Sequence, residues 1–478
     1  MQRTLIKDTI NQINKTVLLK GWVSVRRDHG KLIFLDLRDR TGLIQLVINP
    51  KVSEEAQTTA NEIRSEFVIE IEGTVKEREA KQINPEMETG KVEVEVTKLN
   101  IISRAKAMPF DINSDTRSVS EEVRLKYRYL DLRNDRMKKN LKLRHKIIQF
   151  IRNYLTDMDF TEVQTPILTK STPEGARDYL VPSRIYPGKF FALPQSPQQY
   201  KQLLMVAGLE KYFQIAPCFR DEDARADRSP GEFYQLDLEM SFIEQEDILQ
   251  LIEKMYTELV KTVAPEKHIS ITPWPRISHK ESKEKYDNDK PDLRKDKNDP
   301  NELAFCWILD FPLFTEQTED DFFHGSGNSK WAPSHHMFTA PKAEDLALLD
   351  KDPGKVRGLQ HDLVLNGVEI GGGSIRIHDP KVQEKIFDLI GFSKEQKQNF
   401  AHMLGAFEYG VPPHGGIAPG IDRFVRILAG EDKIAEVIAF PLSGSVRDPM
   451  MGSPSEVSDK QLKELHIKID LPKTKEKK

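Results

Sequence analysis

Short runs of alternating apolar and polar residues dominate the first hundred positions of the chain. Five of them, LKGWVSV, LIFLDLR, LIQLVI, FVIEIEGTV and VEVEVTKL, fall between residues 15 and 103. Alternation with a period of two is typical of half-buried strands, because successive side chains point to opposite faces. The pattern predicts a small β-barrel over residues 1–103, with an OB-type fold as one option among several.

The same period of two sorts the side chains of residues 233–240 onto two faces. The polar face carries Phe233, Gln235, Asp237 and Glu239, and the opposite face carries Tyr234, Leu236, Leu238 and Met240. The preceding arm holds Arg220, Glu222, Arg225 and Arg228. Arginine donates paired, charge-assisted hydrogen bonds to phosphate, and an aromatic ring can stack on a base. The segment is consistent with a nucleotide site, although an ordinary half-exposed antiparallel strand fits the alternation equally well.

Residues 361–378, HDLVLNGVEIGGGSIRIH, have the pattern of a β-hairpin. Asn366-Gly367 between apolar runs predicts a two-residue type I′ turn, which needs positive φ at both positions. Asp362 and Glu369 then share a face as diagonal neighbours, about 7–8 Å apart at the backbone. Two carboxylates so placed can hold Mg²⁺ together with substrate phosphates, whereas two solvated acids are the simpler alternative.

A glycine-rich turn leads into a predicted helix in GGIAPGIDRFVRIL, residues 415–428. Ile421, Phe424, Val425 and Leu428 follow helical spacing. Arg423 falls near the helix N-terminus, where the backbone favours anions. Such a turn is common by itself, but here it is the third phosphate-competent element in one chain.

The rest of the chain divides by composition. A charged segment, 104–140, is interpreted as a hinge, and LKLRHKIIQFIRNYLTDMDF has the apolar spacing of a helix from residue 141. A second domain is predicted over 141–455, interrupted by an almost entirely polar loop at 279–302. Residues 456–478 are predicted to be a tail whose end, LPKTKEKK, is disordered and basic.

Composition narrows the class of protein. The 478 residues suffice for two or three domains, and the net charge of -4 neither favours nor excludes nucleic acid. Residues 117–146 carry eleven Lys or Arg against four Asp or Glu, which fits either a phosphate backbone or a solvated helix face. Two cysteines and no apolar run of membrane-spanning length indicate a cytoplasmic protein with reduced thiols.

Taken together, the three motifs resemble those of class II aminoacyl-tRNA synthetases. ALPQSPQQYKQLLM (192–205), FRDEDARADR (219–228), DKPDLR (289–294) and PPHGGIAPGIDR (412–423) are similar to segments of aspartyl-tRNA synthetases of the bacterial type. The resemblance runs from about residue 15 to 450. It implies an α+β chain, with an OB-fold barrel that grips an anticodon and a catalytic antiparallel sheet flanked by helices. It further implies ATP, Mg²⁺, and a homodimer formed through the helix and strand that close on Pro166.

The resemblance also implies roles for individual residues. Arg220 is expected at the α-phosphate, Arg423 at the γ-phosphate, and Glu222 at the adenine edge or the tRNA 3′ end, and these three form the catalytic set. The ATP-binding set is Arg220, Glu222, Arg228, Phe233, Gln235, Glu369 and Arg423, and Asp362 and Glu369 hold the metal. The aspartate-binding set is Glu174, Gln198, Lys201, Asp237, His335, His336 and Arg376. Within it, Arg376 and Lys201 face the β-carboxylate, which disfavours lysine and leaves asparagine as the nearer competitor.

Three features depart from the simple scheme. Glu369 and Arg376 are seven residues apart, so both can face one site only if a β-bulge lies between them, and Gly371–Gly373 is the predicted place. Pro419 stands where bacterial relatives usually carry phenylalanine. The extra domain that bacterial relatives insert after DKPDLR is missing, because the chain passes almost directly to LAFCWILDFPLF.

The barrel carries the residues that the resemblance assigns to the anticodon, namely Arg26, His29, Phe34 and Gln45. Phe34 is expected to stack on the central base and Gln45 to read it, while a core aromatic is the alternative for Phe34. His29 stands where relatives that charge both tRNA(Asp) and tRNA(Asn) tend to carry histidine. Both tRNAs are therefore expected partners.

Two other functions fit parts of the sequence. A tRNA-independent, amide-forming relative would lack the barrel, which is present here. A non-catalytic RNA-binding paralogue would have lost its phosphate ligands, whereas Arg220, Glu369 and Arg423 are all present.

Overall fold

The computed structural model describes residues 1–171, 176–222, 231–317 and 327–471. The chain divides into two compact units, residues 1–119 and 120–478. This boundary falls inside the predicted hinge, and the part of that segment from Ser120 onward supplies short helices to the second unit. No helix in the four described ranges is both long and apolar enough to cross a bilayer.

The first unit is built around a closed barrel of five strands. They are β1 (Thr16–His29), β2 (Leu32–Arg38), β3 (Leu43–Ile48), β4 (Val68–Glu77) and β5 (Val92–Ser103), in the order β1-β2-β3-β5-β4. Helix α1 (Glu54–Glu62) lies between β3 and β4, and the Ser53 side chain caps its N-terminus. Short 3₁₀ helices cover Ile6–Asn11, Ala80–Gln82 and Thr116–Ser118. Alternate strand residues such as Leu35 and Leu37 are fully buried, so the predicted small barrel is confirmed.

The second unit is organised by one large sheet. The strands of this unit are β6 (Thr161–Glu162), β7 (Leu180–Pro182), β8 (Phe190–Ala192), β9 (Lys211–Arg220), β10 (Gly231–Ser241), β11 (His268–Ile269), β12 (Arg276–Ser278), β13 (Glu302–Leu303), β14 (Phe305–Leu309), β15 (Phe314–Glu316), β16 (Trp331–Pro333), β17 (Gln360–Leu365), β18 (Val368–Ile375) and β19 (His414–Ile417). Eight of them form the sheet in the order β12-β14-β17-β18-β19-β10-β9-β6. The pairs are antiparallel except at the two edges, where β12–β14 and β6–β9 are parallel. The remaining six strands pair as three two-stranded ribbons.

Helices cover one face of the sheet and leave part of the other open. They are α2 (Glu121–Lys126), α3 (Arg128–Asp131), α4 (Asp135–Asp157), α5 (Gln198–Val206), α6 (Gln245–Val263), α7 (His279–Tyr286), α8 (Pro380–Leu389), α9 (Lys394–Gln398), α10 (Ala401–Phe407), α11 (Ile421–Ala429) and α12 (Asp459–Glu464), with 3₁₀ turns at Ala343–Leu349, Pro353–Lys355 and Ile434–Val437. Leu236 and Leu238 of β10 pack with α4, α6 and α11 in the main core, as the predicted apolar face requires. Tyr234, predicted on the same face, is instead 39% exposed.

Three predicted boundaries differ from the structure. Helix α4 begins at Asp135 rather than at 141, because Asn134 accepts a hydrogen bond from the Arg136 amide and caps it. The polar segment 279–302, predicted as a loop, begins with helix α7, which Ser278 caps in the same way. Within the predicted tail 456–478, α12 is a short helix with a capping box, and residues 472–478 lie outside the described ranges.

The predicted hairpin turn is confirmed, but its register is not regular. Asn366 and Gly367 have φ values of 51° and 80°, as a type I′ turn requires. Val364 pairs with Glu369, but Leu363 pairs with Gly371, so Ile370 is an extra residue on β18. This is the β-bulge that the spacing of Glu369 and Arg376 demanded, located one residue before the predicted glycines.

Candidate active site

A cleft opens on the uncovered face of the large sheet. Its walls come from β10, β18 and the segments that begin α5 and α11, and they are lined by Gln195, Ser196, Gln198, Lys201, Arg220, Glu222, Phe233, Tyr234, Gln235, Asp237, His335, His336, Glu369, Ile370, Gly371, Gly372, Arg376, Ala418, Gly420, Asp422, Arg423 and Ile434. The polar face of β10 therefore points into the cleft. The bulge at Ile370 lets both Glu369 and Arg376 reach it.

Four charged side chains form a buried network at one end of the cleft. Lys201 Nζ lies 2.6 Å from Asp237 Oδ2 and 3.6 Å from Glu239 Oε2. Arg376 binds Glu239 through both Nε and Nη2, at 2.9 and 3.1 Å. All four residues are at most 2% exposed. The positive charges of Lys201 and Arg376 are thus balanced by the two carboxylates, and all four side chains are almost inaccessible to water.

The two carboxylates respond differently to their burial. Burial raises the pKa of Asp237, and the ion pair with Lys201 offsets it only in part. Burial also opposes ionisation of Glu239, yet Arg376 and Lys201 outweigh it and hold its pKa below the usual value. Glu239 is therefore the fixed anion that orients Arg376.

The His335-His336 pair closes this end of the cleft, with ring centroids 4.4 Å apart. Enclosure by protein, together with the charges of its neighbours, lowers the pKa of His336 well below its ordinary value. His336 is thus neutral and accepts a hydrogen bond at Nε2 from Arg376 Nη1, at 2.6 Å. Ser374 Oγ accepts a second bond from the same nitrogen at 2.6 Å, so the guanidinium orientation is fixed on all sides.

The residues predicted to contact the phosphates and the base lie at the other end of the cleft. The Arg220 guanidinium lies 5.0 Å from the centroid of the Phe233 ring, and its Nε is buried without a hydrogen-bond partner among the described residues. Gln235 donates to the Ala418 carbonyl at 3.1 Å and accepts from the Cys218 thiol at 3.3 Å. Arg423 donates to the Glu369 carbonyl at 2.6 Å. An arginine and an aromatic ring thus meet where the motif predicted a nucleotide.

The two predicted metal ligands lie on the neighbouring strands β17 and β18, where Glu369 pairs with Val364, two positions from Asp362, and Glu369 lines the cleft. Asp362 is opposite Gly372, where a Cβ would come within 3.1 Å of Asp362 Oδ1. Enclosure by protein raises the pKa of Asp362 well above its ordinary value, and the charge of Glu369 adds to the effect. A divalent cation would relieve this repulsion, and one or two carboxylates completed by phosphates and water suit Mg²⁺. No cluster of three or more potential metal ligands occurs in the described part of the chain.

Some functional candidates were missed by reasoning from the sequence. Asp422 is 3% exposed, forms an ion pair with Arg144 of α4 and accepts a hydrogen bond from the Tyr234 amide at 3.1 Å. It joins α4, β10 and α11 at the wall of the cleft, and in the sequence its place beside Arg423 was the signal that could have identified it. Ser374 was missed because a serine in a glycine-rich strand carries no distinctive pattern.

The positions of the other predicted site residues say less about their roles. Gln198 lines the cleft and donates to Gln202 Oε1 at 3.1 Å. Glu222 also lines the cleft. Pro419, the departure from the bacterial pattern, lies so close to Gly371 that a Cβ there would meet its Cα at 2.7 Å. Glu174, Arg225 and Arg228 lie outside the described residues.

The predicted anticodon residues lie on the barrel of the first unit. Phe34 is half-buried on β2, and Gln45 donates to Glu93 Oε2 at 2.9 Å. His29 is exposed at the β1–β2 turn. Arg26 donates to the carbonyls of Ala60 and Ile63 at 2.8 and 2.9 Å, so its guanidinium caps the end of α1.

Comparison with known families matches both units. The tRNA synthetases class II (D, K and N) family matches residues 120–444, and the OB-fold nucleic acid binding domain family matches residues 17–102. The predicted α+β architecture, an OB-fold barrel followed by a class II catalytic domain, is therefore confirmed.

Individual relatives agree with this assignment. An aspartate–tRNA(Asp/Asn) ligase from Dehalococcoides mccartyi is 41% identical, covering 97% of this chain and 98% of its own. An aspartate–tRNA ligase from Staphylococcus carnosus is also 41% identical, covering 96% and 98%. The first alignment spans 599 positions, more than the 478 residues here, so that relative contains residues with no counterpart in this chain.

Solved structures show the same fold. Asparaginyl-tRNA synthetase from Pyrococcus horikoshii, complexed with asparaginyl-adenylate, superposes with a TM-score of 0.73 at 24% identity, covering 92% of this chain and 98% of that one. Aspartyl-tRNA synthetase from Entamoeba histolytica gives 0.70 at 22% identity, with 92% and 91% coverage. The chain belongs to the class II tRNA synthetases, and within them to the family of aspartate–tRNA ligases.

Proposed function

We propose that the protein activates aspartate with ATP to aspartyl-adenylate and transfers the aspartyl group to the 3′ end of tRNA(Asp). The observation that carries the proposal is the buried network of Lys201, Asp237, Glu239 and Arg376 at the end of the cleft. Lys201 and Arg376 are cationic donors in a network whose own charges balance, so they would recognise an anionic substrate side chain through charge-assisted hydrogen bonds rather than through net charge. Asp237 beside them supplies an acceptor for the substrate ammonium group.

The network distinguishes between amino acids on electrostatic grounds. A β-carboxylate accepts hydrogen bonds from two cationic donors at once. Such charge-assisted hydrogen bonds are stronger than hydrogen bonds between neutral groups. An asparagine amide would turn N–H groups toward those donors or accept through only one oxygen. A lysine side chain would bring a third cation into a site with little water, at a large desolvation cost.

The remaining chemistry is positioning and charge neutralisation. The substrate carboxylate attacks the α-phosphorus of ATP and pyrophosphate leaves in line, so no protein nucleophile is required. We assign Arg220 to the α-phosphate, since its side chain lines the cleft and its buried Nε has no hydrogen-bond partner among the residues that the structure describes. Phe233, Gln235 and Arg423 also line the cleft, and we assign the first two to the adenine and Arg423 to the terminal phosphates. Glu222, at the cleft wall, is assigned to the adenine edge or the tRNA terminus.

Asp362 and Glu369 are the residues that would hold Mg²⁺. A bound Mg²⁺ would neutralise charge on the departing pyrophosphate. The protein contributes two neighbouring carboxylates, one of which has a pKa raised by its enclosure. Gln360 fixes Asp362 by donating to its Oδ1 at 3.2 Å.

The test of activation is ATP–pyrophosphate exchange with aspartate, asparagine and lysine supplied separately. Exchange is expected with aspartate alone, and Lys201→Gln should abolish it. Lys254→Gln, which removes an exposed lysine from α6, is the matched control and should behave like the wild type. Absence of exchange with all three amino acids would instead favour a non-catalytic RNA-binding protein.

The tRNA range is a separate proposal. We infer that tRNA(Asn) is also aspartylated, since His29 is exposed at the β1–β2 turn, next to the strand that carries Phe34. Charging of tRNA(Asp) and tRNA(Asn) transcripts under identical conditions tests this. Complete refusal of tRNA(Asn) with normal charging of tRNA(Asp) would contradict it.

We further propose a cytoplasmic homodimer. Cys218 and Cys306 are both buried, and neither forms a disulfide within the described ranges, which fits a reducing compartment. The dimer proposal rests on the family, and light scattering of the purified chain should return twice the 54.9 kDa of one copy.

A further inference from the structure

A lysine from the shortened segment 279–302 reaches the predicted metal ligands. Lys290 Nζ lies 3.2 Å from Glu369 Oε2. Among the described residues, Arg423 also approaches that carboxylate: its Nη1 lies 4.0 Å from Glu369 Oε1 and donates a hydrogen bond to the Glu369 carbonyl at 2.6 Å. Lys290 is therefore the nearer charge partner of the Glu369 side chain.

The backbone around Lys290 is held in place by its own polar contacts. The Lys290 amide donates to Asn288 Oδ1 at 2.7 Å, and Ser282 Oγ donates to the Asn288 carbonyl at 2.8 Å. Two residues further on, Asp292 accepts hydrogen bonds from Arg294 Nε and Nη2 at 3.0 and 2.8 Å. The lysine thus extends from a fixed segment.

The same segment packs on the tip of the hairpin that carries both carboxylates. At Gly367, in the turn between β17 and β18, an added Cβ would meet the Asp292 Cβ at 3.2 Å and the Lys290 carbonyl at 3.8 Å. Lys290 also lies near enough to Asp362 for its charge to act on that carboxylate. The Lys290 ammonium group therefore interacts with two carboxylates, Asp362 and Glu369, that repel each other.

We propose that Lys290 is a positioning residue that balances the charge of Glu369 before a divalent cation arrives and competes with that cation for the carboxylate. The inference rests on the proposed metal site at Asp362 and Glu369. Lys290 and Glu369 have side-chain exposures of 39% and 28%, so water screens their interaction in part. The competition is accordingly modest, and the cation displaces the lysine without unfolding the segment.

The test measures the binding of Mn²⁺ to the full chain by electron paramagnetic resonance, in the absence of ATP and aspartate. Lys290→Gln should bind Mn²⁺ about two- to fivefold more tightly than the wild type, as removal of a partly exposed ion pair predicts. Lys290→Arg, which keeps the charge, should bind nearly as the wild type does. Lys280→Gln removes an exposed lysine of the same segment and is the matched control.

The outcomes separate this proposal from the ones it depends on. Unchanged or weaker Mn²⁺ binding by Lys290→Gln overturns the competition. Wild-type Mn²⁺ binding by Glu369→Gln would show that the metal site itself is misassigned. Aspartate-dependent exchange is measured apart from both, so a failure of the proposed activity would not be confused with either result.

Discussion

At the residue scale, Arg376 shows how specificity and stability depend on one contact. Its guanidinium forms a two-bond pair with Glu239, and both side chains are essentially inaccessible to water. Arg376→Gln should lower the free energy of unfolding by about 3–5 kcal/mol, because it leaves a buried carboxylate without its partner. The double variant Arg376→Gln/Glu239→Gln should recover much of that loss, and urea unfolding measures both.

Activity is expected to follow a different course from stability in these variants. Neither should support aspartate-dependent exchange, since both lack the cation that faces the substrate carboxylate. Recovery of exchange in the double variant would show that Arg376 acts only through folding.

The sequence predicted which side chains share a face better than which groups those side chains contact. Alternation alone placed Phe233, Gln235 and Asp237 on one face, and all three line the cleft. Asp422 escaped notice because its partner Arg144 is 278 positions away in the sequence. Ser374 is only two positions from its partner Arg376, and it was missed because a serine in a glycine-rich strand carries no distinctive pattern. Periodicity describes which way a side chain points but not which group it meets.

At the element scale, a buried ion network ties the helices at the start of the second unit to the 3₁₀ turn Ile434–Val437. Glu436 accepts hydrogen bonds from Arg124 of α2 at 2.8 and 2.7 Å and from Arg136 of α4 at 2.8 Å. Burial favours the neutral acid, but the two arginines prevail and hold the pKa of Glu436 at about 2. The charge run at 117–146, interpreted as a nucleic-acid patch or a solvated face, thus contributes arginines to the interior.

Glu436 is therefore expected to make the free energy of unfolding depend on pH in the acidic range. Its pKa is lower in the folded chain than the ordinary 4.5, so its contribution is complete above pH 4.5 and is lost as the pH falls toward 2. Glu436→Gln should destabilise the protein by about 3–5 kcal/mol at neutral pH and flatten that acid dependence. Urea titrations at several pH values measure it, with the exposed Glu408→Gln as control. An unchanged acid slope in Glu436→Gln would contradict the assignment.

Elements with strong local signals were predicted well, and those that depend on caps were not. The Asn366-Gly367 turn and helix α11 are confirmed because their residues suit few other conformations. The start of α4 at Asp135 and the existence of α7 were missed because a single capping side chain decides each. Charged residues before and after a cap do not distinguish a helix from a loop.

At the scale of the whole molecule, each of the two compact units carries one set of candidate functional residues. The barrel carries the anticodon candidates, and the second unit carries the cleft. The division itself was predictable, since a run of short alternating strands gives way to mixed elements near residue 104. The boundary at 119 was not, because it depends on where residues 120–140 pack.

This division predicts that a change in the barrel separates the two half-reactions. Phe34 is half-buried on β2 beside Gln45 on β3, with Asp36 paired to Gln45 across the strands. Phe34→Ala should leave ATP–pyrophosphate exchange unchanged and lower the kcat/KM for charging tRNA(Asp) about tenfold to a hundredfold, because stacking on a base contributes about 1–3 kcal/mol. Phe34→Tyr keeps the ring and should charge nearly as the wild type does. An equal loss of both half-reactions in Phe34→Ala would mean that the ring supports folding rather than the anticodon, since activation involves no base stacked on the barrel.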